Sequence, residues 1–262
     1  VASTLREWGE QVFFLEMWRD VSRYQDKVLS PISTGFDFDD EGTIFDDVLE
    51  AYRKMSDRLR TMLVKCVARD FLGNLGPYSK KRMWSAHHSV LAHTIEESTD
   101  MSRTLYTNQD ENEISNELAA PLAEFSMQIG YLAQNLPHAD FHDVYRKIAA
   151  DIDDWMWSKL VYSKQFGRAG EWQLVTDFNK GLCGAGAAWL RKPERYFPRM
   201  KDVTVLMQLP FTHHDKDAAF TVDELYALLK ETKQDHARNA LDAIGVYSLG
   251  LDEAMETLER RM

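Results

Sequence analysis

The side chains best suited to chemistry in this chain are histidines with carboxylates close behind them. His87, His88 and His93 precede Glu96 and Glu97, and imidazole with carboxylate is a donor set for zinc and related transition metals. A metal centre on helices also needs a register: HExxH, or an ExxH repeated on two helices, so that donors one turn apart share a face. The 87–97 spacing supplies neither. His138 and His142 are four apart, but Pro137 stands where a regular helix would be needed to align them. The stretch GLCGAGAAW, residues 181–189, has the glycine density of a dinucleotide loop. It lacks the preceding strand and the βαβ unit that give such a loop its function. Close packing between helices accounts better for Gly181, Gly184 and Gly186, each of which costs a helix about 1 kcal/mol relative to Ala. Cys66 and Cys183 lie far apart in helical patterns and read as buried free thiols in a reducing compartment. No catalytic, cofactor or metal residue is assigned. A helical metal-binding protein or enzyme using the His87, His88 and His93 region is the alternative reading.

The totals turn attention from chemistry to binding. The 262 residues are 44% hydrophobic and include seven Trp, ten Tyr and thirteen Phe, enough to fill one large core or two modest ones. A formal net charge of −11 argues against nucleic acid, whose binding needs clustered positive charge. The acidic cluster from Asp37 to Glu41 reads as a solvated loop, and Lys80, Lys81 and Arg82 beside Trp84 as a solvated helix start. No apolar run reaches transmembrane length and no signal peptide opens the chain. The chain begins inside a helical pattern without an initiator Met, so it is read as a fragment, soluble and cytosolic-facing.

The elements that would have to position any site are helices. Thr43 to Leu72 is the organising stretch: Phe45, Val48, Tyr52, Met55, Leu59, Met62 and Cys66 recur at intervals of three and four, the period of one buried helical face. Ile44, Leu49, Leu63 and Val67 widen it. Such a helix is roughly 45 Å long, the dimension of a scaffold rod. Before it, Thr4 and Glu7 have capping-box spacing ahead of Leu5, Trp8, Val12, Leu15, Trp18 and Val21, followed by a loop around Gly35 to Gly42. After it, residues 98–112 are dominated by Ser, Thr, Asn, Asp and Glu and predict a mobile loop.

Leu118, Leu122, Phe125, Ile129 and Leu132 restore the helical period, with Pro121 starting or kinking that helix. Phe141 to Phe166 reads as a second long helix. In it Trp155 and Trp157 point almost oppositely, so either helices sandwich this rod or one Trp is left for a partner. Trp172, Val175, Leu182 and Trp189 mark a further helix, and Pro198 opens another with Val203 and Leu206 inward. Past Pro210 the elements shorten. Thr221 and Glu224 form a capping box, Phe220 a staple on Leu225, and Ile244-Gly245-Val246 a Schellman end. The last helix turns Leu251, Ala254, Met255 and Leu258 to one face, back toward Leu225, Leu228, Leu229 and Leu241. No alternating strand occurs. The expectation is an all-α, elongated helical-bundle rod over residues 1–210, followed by a small domain of short helices over 211–262.

Several stretches in this order resemble one family: TLREWGEQVFFLEMW, EGTIFDDVLEAYRKM, DIDDWMWSKLV, PERYFPRMKDVTVLMQL and LDAIGVYSLGLDEAMETLERR. The chain is similar to the C-terminal half of the Rad-fifty-interacting protein and Tip-twenty family over most of its length, residues 85–113 excepted. The glycine-rich stretch from Gly181 to Gly186 departs from the family's pattern. The resemblance implies a rod-like subunit of the Dsl-type tethering complex, which captures Golgi-derived retrograde vesicles at the endoplasmic reticulum. It implies endoplasmic-reticulum SNARE proteins and fellow tether subunits as partners, membrane contact only through them, a cytoplasmic location peripheral to the endoplasmic reticulum, and no enzymatic activity.

Overall fold

A computed structural model describes residues 46–85, 113–212, 219–231 and 234–261. The described residues are built on helices, with a single isolated β-bridge between Phe166 and Arg261 and no strand. The protein is all-α. Among the described residues no helix is long and apolar enough to cross a membrane. The N-terminal capping box, the loop around Gly35 to Gly42, the 98–112 loop and the His87, His88, His93, Glu96, Glu97 cluster all lie outside the described residues.

The helices are α1 (Asp46–Gly73), α2 (Gly76–Ser79), α3 (Asn116–Asn135), α4 (His138–Trp155), α5 (Arg168–Thr176), α6 (Cys183–Gly186), α7 (Pro198–Met207), α8 (Val222–Glu231), α9 (Gln234–Ala243) and α10 (Leu251–Glu259). Short 3-10 turns occupy Arg82–Ser85 and Pro193–Tyr196. Two π-helical segments interrupt the regular period, Met156–Val161 after α4 and Asp177–Leu182 between α5 and α6. The chain divides into two compact units. Their described parts are 46–69 with 128–148, and 70–85 and 113–127 with 149–261. The segment after residue 210, read in the sequence as a small domain, falls within the second unit.

In the first unit the buried side of α1 differs from the stripe drawn from its sequence. Met55 and Met62 are 49% and 45% exposed, while Leu63 and Val67, read as widening the face, are buried together with Ser56, Val64 and Ala68. Tyr52, Leu59 and Cys66 are half-buried. The buried face is therefore centred about one residue, roughly 100°, around the helix from the predicted one. Large flexible methionines satisfied the three-four period, but the small Ser56 and Ala68 sit where neighbours approach. From α4, Phe141, Val144, Tyr145 and Ile148 are buried in this unit, and Arg60 reaches Asp140 at 2.6 Å.

The second unit holds most of the aromatic core. Trp84 is buried, its indole N–H donating to the Tyr78 carbonyl at 3.2 Å. Its ring meets Tyr78 and Phe166 edge-on at 5.1 and 5.6 Å. Gly170 is required here, because a Cβ at that position would lie 2.2 Å from the Trp84 carbonyl oxygen. Gly181 has the role expected for it: its added Cβ would meet Leu122 Cδ1 at 2.9 Å. Gly184 faces open space, so close packing explains one of these two glycines and not the other. The predicted stripe of α3 is buried through Leu118, Leu122, Phe125, Ile129 and Leu132, and Pro121 lies inside the helix.

Candidate interaction site

The C-terminal third of the chain is fixed by buried ions placed at helix ends. Arg261 is the most connected of them. Its Nε donates to Glu171 Oε1 at 2.8 Å and one Nη to Oε2 at 3.1 Å, with both side chains almost fully buried. The remaining donors close on the C-terminal carbonyls of α7, Leu206 at 2.6 Å, and on Leu209 at 2.8 Å. The Phe211 ring lies 4.7 Å from the guanidinium. A planar fork can satisfy all of these acceptors together, which an ammonium cannot.

Three aspartates do the same for backbone N–H groups. Asp153 accepts from Arg199 at 3.0 Å and Met200 at 2.9 Å, capping the start of α7. Burial nevertheless dominates over those bonds and pushes its carboxyl up to about 6. Asp177, on the π segment, accepts the Ser115 N–H at 2.7 Å and hydroxyl at 2.6 Å just ahead of α3. Its carboxyl is also raised, again by burial first. Asp202 accepts the N–H groups of Tyr247 (2.9 Å), Ser248 and Leu249 (3.1 Å).

That last cradle rests on the glycine turn read from the sequence. Val246 N–H bonds the Leu241 carbonyl at 2.9 Å and Gly245 N–H the Asp242 carbonyl at 3.1 Å, with Gly245 at φ +86°. This is the Schellman pair, and the positive φ is what demands glycine. The Thr221 and Glu224 capping box is formed reciprocally at 3.3 and 3.0 Å. Beyond the turn α10 packs on α7 and α8, burying Ala254 and Leu258 and leaving Leu251 and Met255 half-buried. Leu225, Leu229 and Leu241 are buried as predicted, and Leu228 is half-buried.

The remaining candidates for chemistry resolve into structural roles. Lys81 donates to Ser115 at 3.0 Å and Glu117 at 3.2 Å, so the small basic spot is partly an internal tie. His138 and His142 do share a regular helix, with their Nε2 atoms 3.0 Å apart. Pro137 does not prevent it, because Pro137 precedes the first turn and its carbonyl accepts the Phe141 N–H at 2.9 Å. A proline there forfeits only an N–H that has no intrahelical partner. Among the described residues no group of three His, Cys, Asp or Glu side chains could hold a metal ion. Cys183 is buried and its thiol is pushed up to about 12, by burial first and Glu194 second. That makes it a poor nucleophile.

What the sequence missed is which aromatics stay outside. Trp157 is buried and Trp155 half-buried. Trp172 and Trp189, read as marks of a further helix, are 68% and 39% exposed. Trp172 stands on α5 ahead of the π segment, and Trp189 lies in the turn past the end of α6, outside the helix read through it. Tyr162 and Tyr247 are also exposed. Outward Trp and Tyr on a rigid helical frame suit protein recognition, since such residues dominate binding energy at interfaces.

Comparison with known proteins agrees with this helical frame. The sequence profile of the RINT-1/TIP-1 family matches residues 1–261. The chain belongs to the RINT-1/TIP-1 family. It is 26% identical over 211 residues to the RINT1-like protein MAG2 of Arabidopsis thaliana, covering 80% of this chain and 23% of that protein. It is 28% identical over 122 residues to a RINT1-like protein of Drosophila melanogaster, covering 47% of this chain and 16% of the relative. The chain thus spans less than a quarter of the length of these relatives. In fold it is similar to the Dsl1 complex subunit Tip20, solved in complex with the SNARE Sec20, with a TM-score of 0.57 at 17% identity. That likeness covers 93% of this chain and 37% of Tip20.

Proposed function

We propose that this chain is part of a non-enzymatic tethering subunit that captures Golgi-derived retrograde vesicles at the endoplasmic reticulum by binding SNARE proteins and fellow tether subunits. The family match over residues 1–261 carries this reading. The fold likeness to a Dsl1 complex subunit that was solved with a SNARE bound supports it. So does the character of the described surface. Its buried carboxylates and guanidinium are committed to helix ends and turns, while several large aromatics face outward. The subunit works on the cytosolic face of the endoplasmic reticulum, held there by protein partners.

The experiment is depletion of the full-length protein in cells, followed by the arrival of a retrograde cargo at the endoplasmic reticulum. Cargo should accumulate in small vesicles and return when the protein is restored. Unchanged retrograde transport in depleted cells would contradict the proposal.

A further inference from the structure

We infer that the turn from Trp189 to Arg195 is a docking point for an acidic segment of a protein partner, read by Arg191, Lys192 and Arg195 with Trp189 as its apolar contact. The backbone of this turn is held from beneath. The N–H groups of Trp189 and Leu190 both bond the Gly186 carbonyl at 3.0 Å. Leu190, Pro193 and Phe197 are buried, and Phe197 meets Phe178 edge-on at 6.0 Å. With those three side chains inside, Trp189, Arg191, Lys192 and Arg195 are left outside and exposed. A platform ordered before binding loses little freedom when a partner arrives.

Charge identifies the partner. Several cations of this acidic chain are matched: Arg60, Lys81, Arg199, Arg238, Arg260 and Arg261 pair with carboxylates. Arg191, Lys192 and Arg195 make no ion pair among the described residues. The acid within the stretch, Glu194, is half-buried and acts on Cys183. Two guanidinium forks and an ammonium within six residues of an exposed Trp offer donors for carboxylates beside an apolar contact. A membrane fits less well. Recognition of anionic lipid takes about four to eight clustered cations, and a membrane plane would also face the net charge of −11. A peptide segment meets only the charges within about 8 Å, the screening length at physiological salt. The inference stands apart from the SNARE reading, since it concerns the chemistry of the docked segment and not the identity of its owner.

The test uses a fluorescein-labelled peptide rich in glutamate and leucine, titrated with the purified chain and followed by anisotropy at about 20 and about 150 mM salt. Binding that weakens with salt is expected, with a Kd raised about tenfold or more in R191E/R195E. W189A should weaken it as well. R191Q/R195Q, which removes charge without reversing it, gives an intermediate loss and guards against a folding defect. Thermal midpoints of all variants are measured beside the unmodified chain. The inference is overturned if the peptide does not bind at low salt, or binds R191E/R195E as tightly as the unmodified chain. It is also overturned if the unmodified chain floats with phosphatidylserine vesicles and R191E/R195E does not.

Discussion

Arg261 and Glu171, 90 residues apart in sequence, meet through two hydrogen bonds of 2.8 and 3.1 Å in the interior. The pair ties the end of α10 to α5, and its spare donors hold the Leu206 carbonyl in the last turn of α7 and that of Leu209 just beyond it. Removing one partner leaves the other charge buried without compensation, which costs about 3–5 kcal/mol. R261A should therefore lower the unfolding free energy by that amount in chemical denaturation. E171L/R261L should lose less than R261A alone. Equal losses would mean that the cost comes from the carbonyls of Leu206 and Leu209 and not from the orphaned carboxylate.

Asp153 sets a pH dependence with a definite sign. Its folded carboxyl is pushed up to about 6 by burial, above an ordinary aspartate near 4. The folded state then binds more protons than the unfolded one in that window, so the contribution of Asp153 to stability falls as pH rises from about 4 to about 6. D153N removes the titration and keeps one acceptor for the α7 N–H groups. The difference in unfolding free energy between the two proteins should shift in favour of D153N across that window and level off above it. A difference that is flat from pH 4 to 7 contradicts the assignment.

The corrected face of α1 gives opposite expectations for neighbouring residues. Leu63 is fully buried and Met62 is 45% exposed. L63A should cost about 2–5 kcal/mol, as large-to-small core changes do. M62A should stay within about 0.5 kcal/mol, the usual range for a surface site. The reverse order in urea unfolding would restore the stripe drawn from the sequence.

Leu258 separates packing from docking at the C-terminal end. It is buried on α10, which packs against α7 and α8, so L258D places a charge where no partner waits. Residues after Pro210 should become accessible to protease in limited digestion while the helical signal of α1 persists. A variant as resistant as the unmodified chain would show that this leucine is not held in the interior.

Legibility in the sequence followed the range of the interactions. The capping box at Thr221, the Schellman end at Gly245 and the stripe from Leu118 to Leu132 depend on residues within a few positions, and they could be read. The ties of Arg261 to Glu171 and of Asp202 to the Tyr247 turn join residues 90 and 45 apart, and no local pattern announces them. The α1 face was read with Leu63 and Val67 correctly on it, but its centre was misplaced because two adjacent registers both satisfied a three-four period. Trp189 was read into a helix that in the structure ends at Gly186, leaving it in the following turn. For interaction the sequence offered Trp155 and Trp157 as alternatives, whereas the structure exposes Trp172 and Trp189.

The most direct test of the account titrates the purified chain with the purified cytosolic region of an endoplasmic-reticulum SNARE by calorimetry. A tethering subunit should give a saturable complex of one chain to one SNARE, and the chain alone should not float with protein-free anionic liposomes at physiological salt. No measurable heat of binding to any endoplasmic-reticulum SNARE, together with direct flotation on those liposomes, would contradict the account.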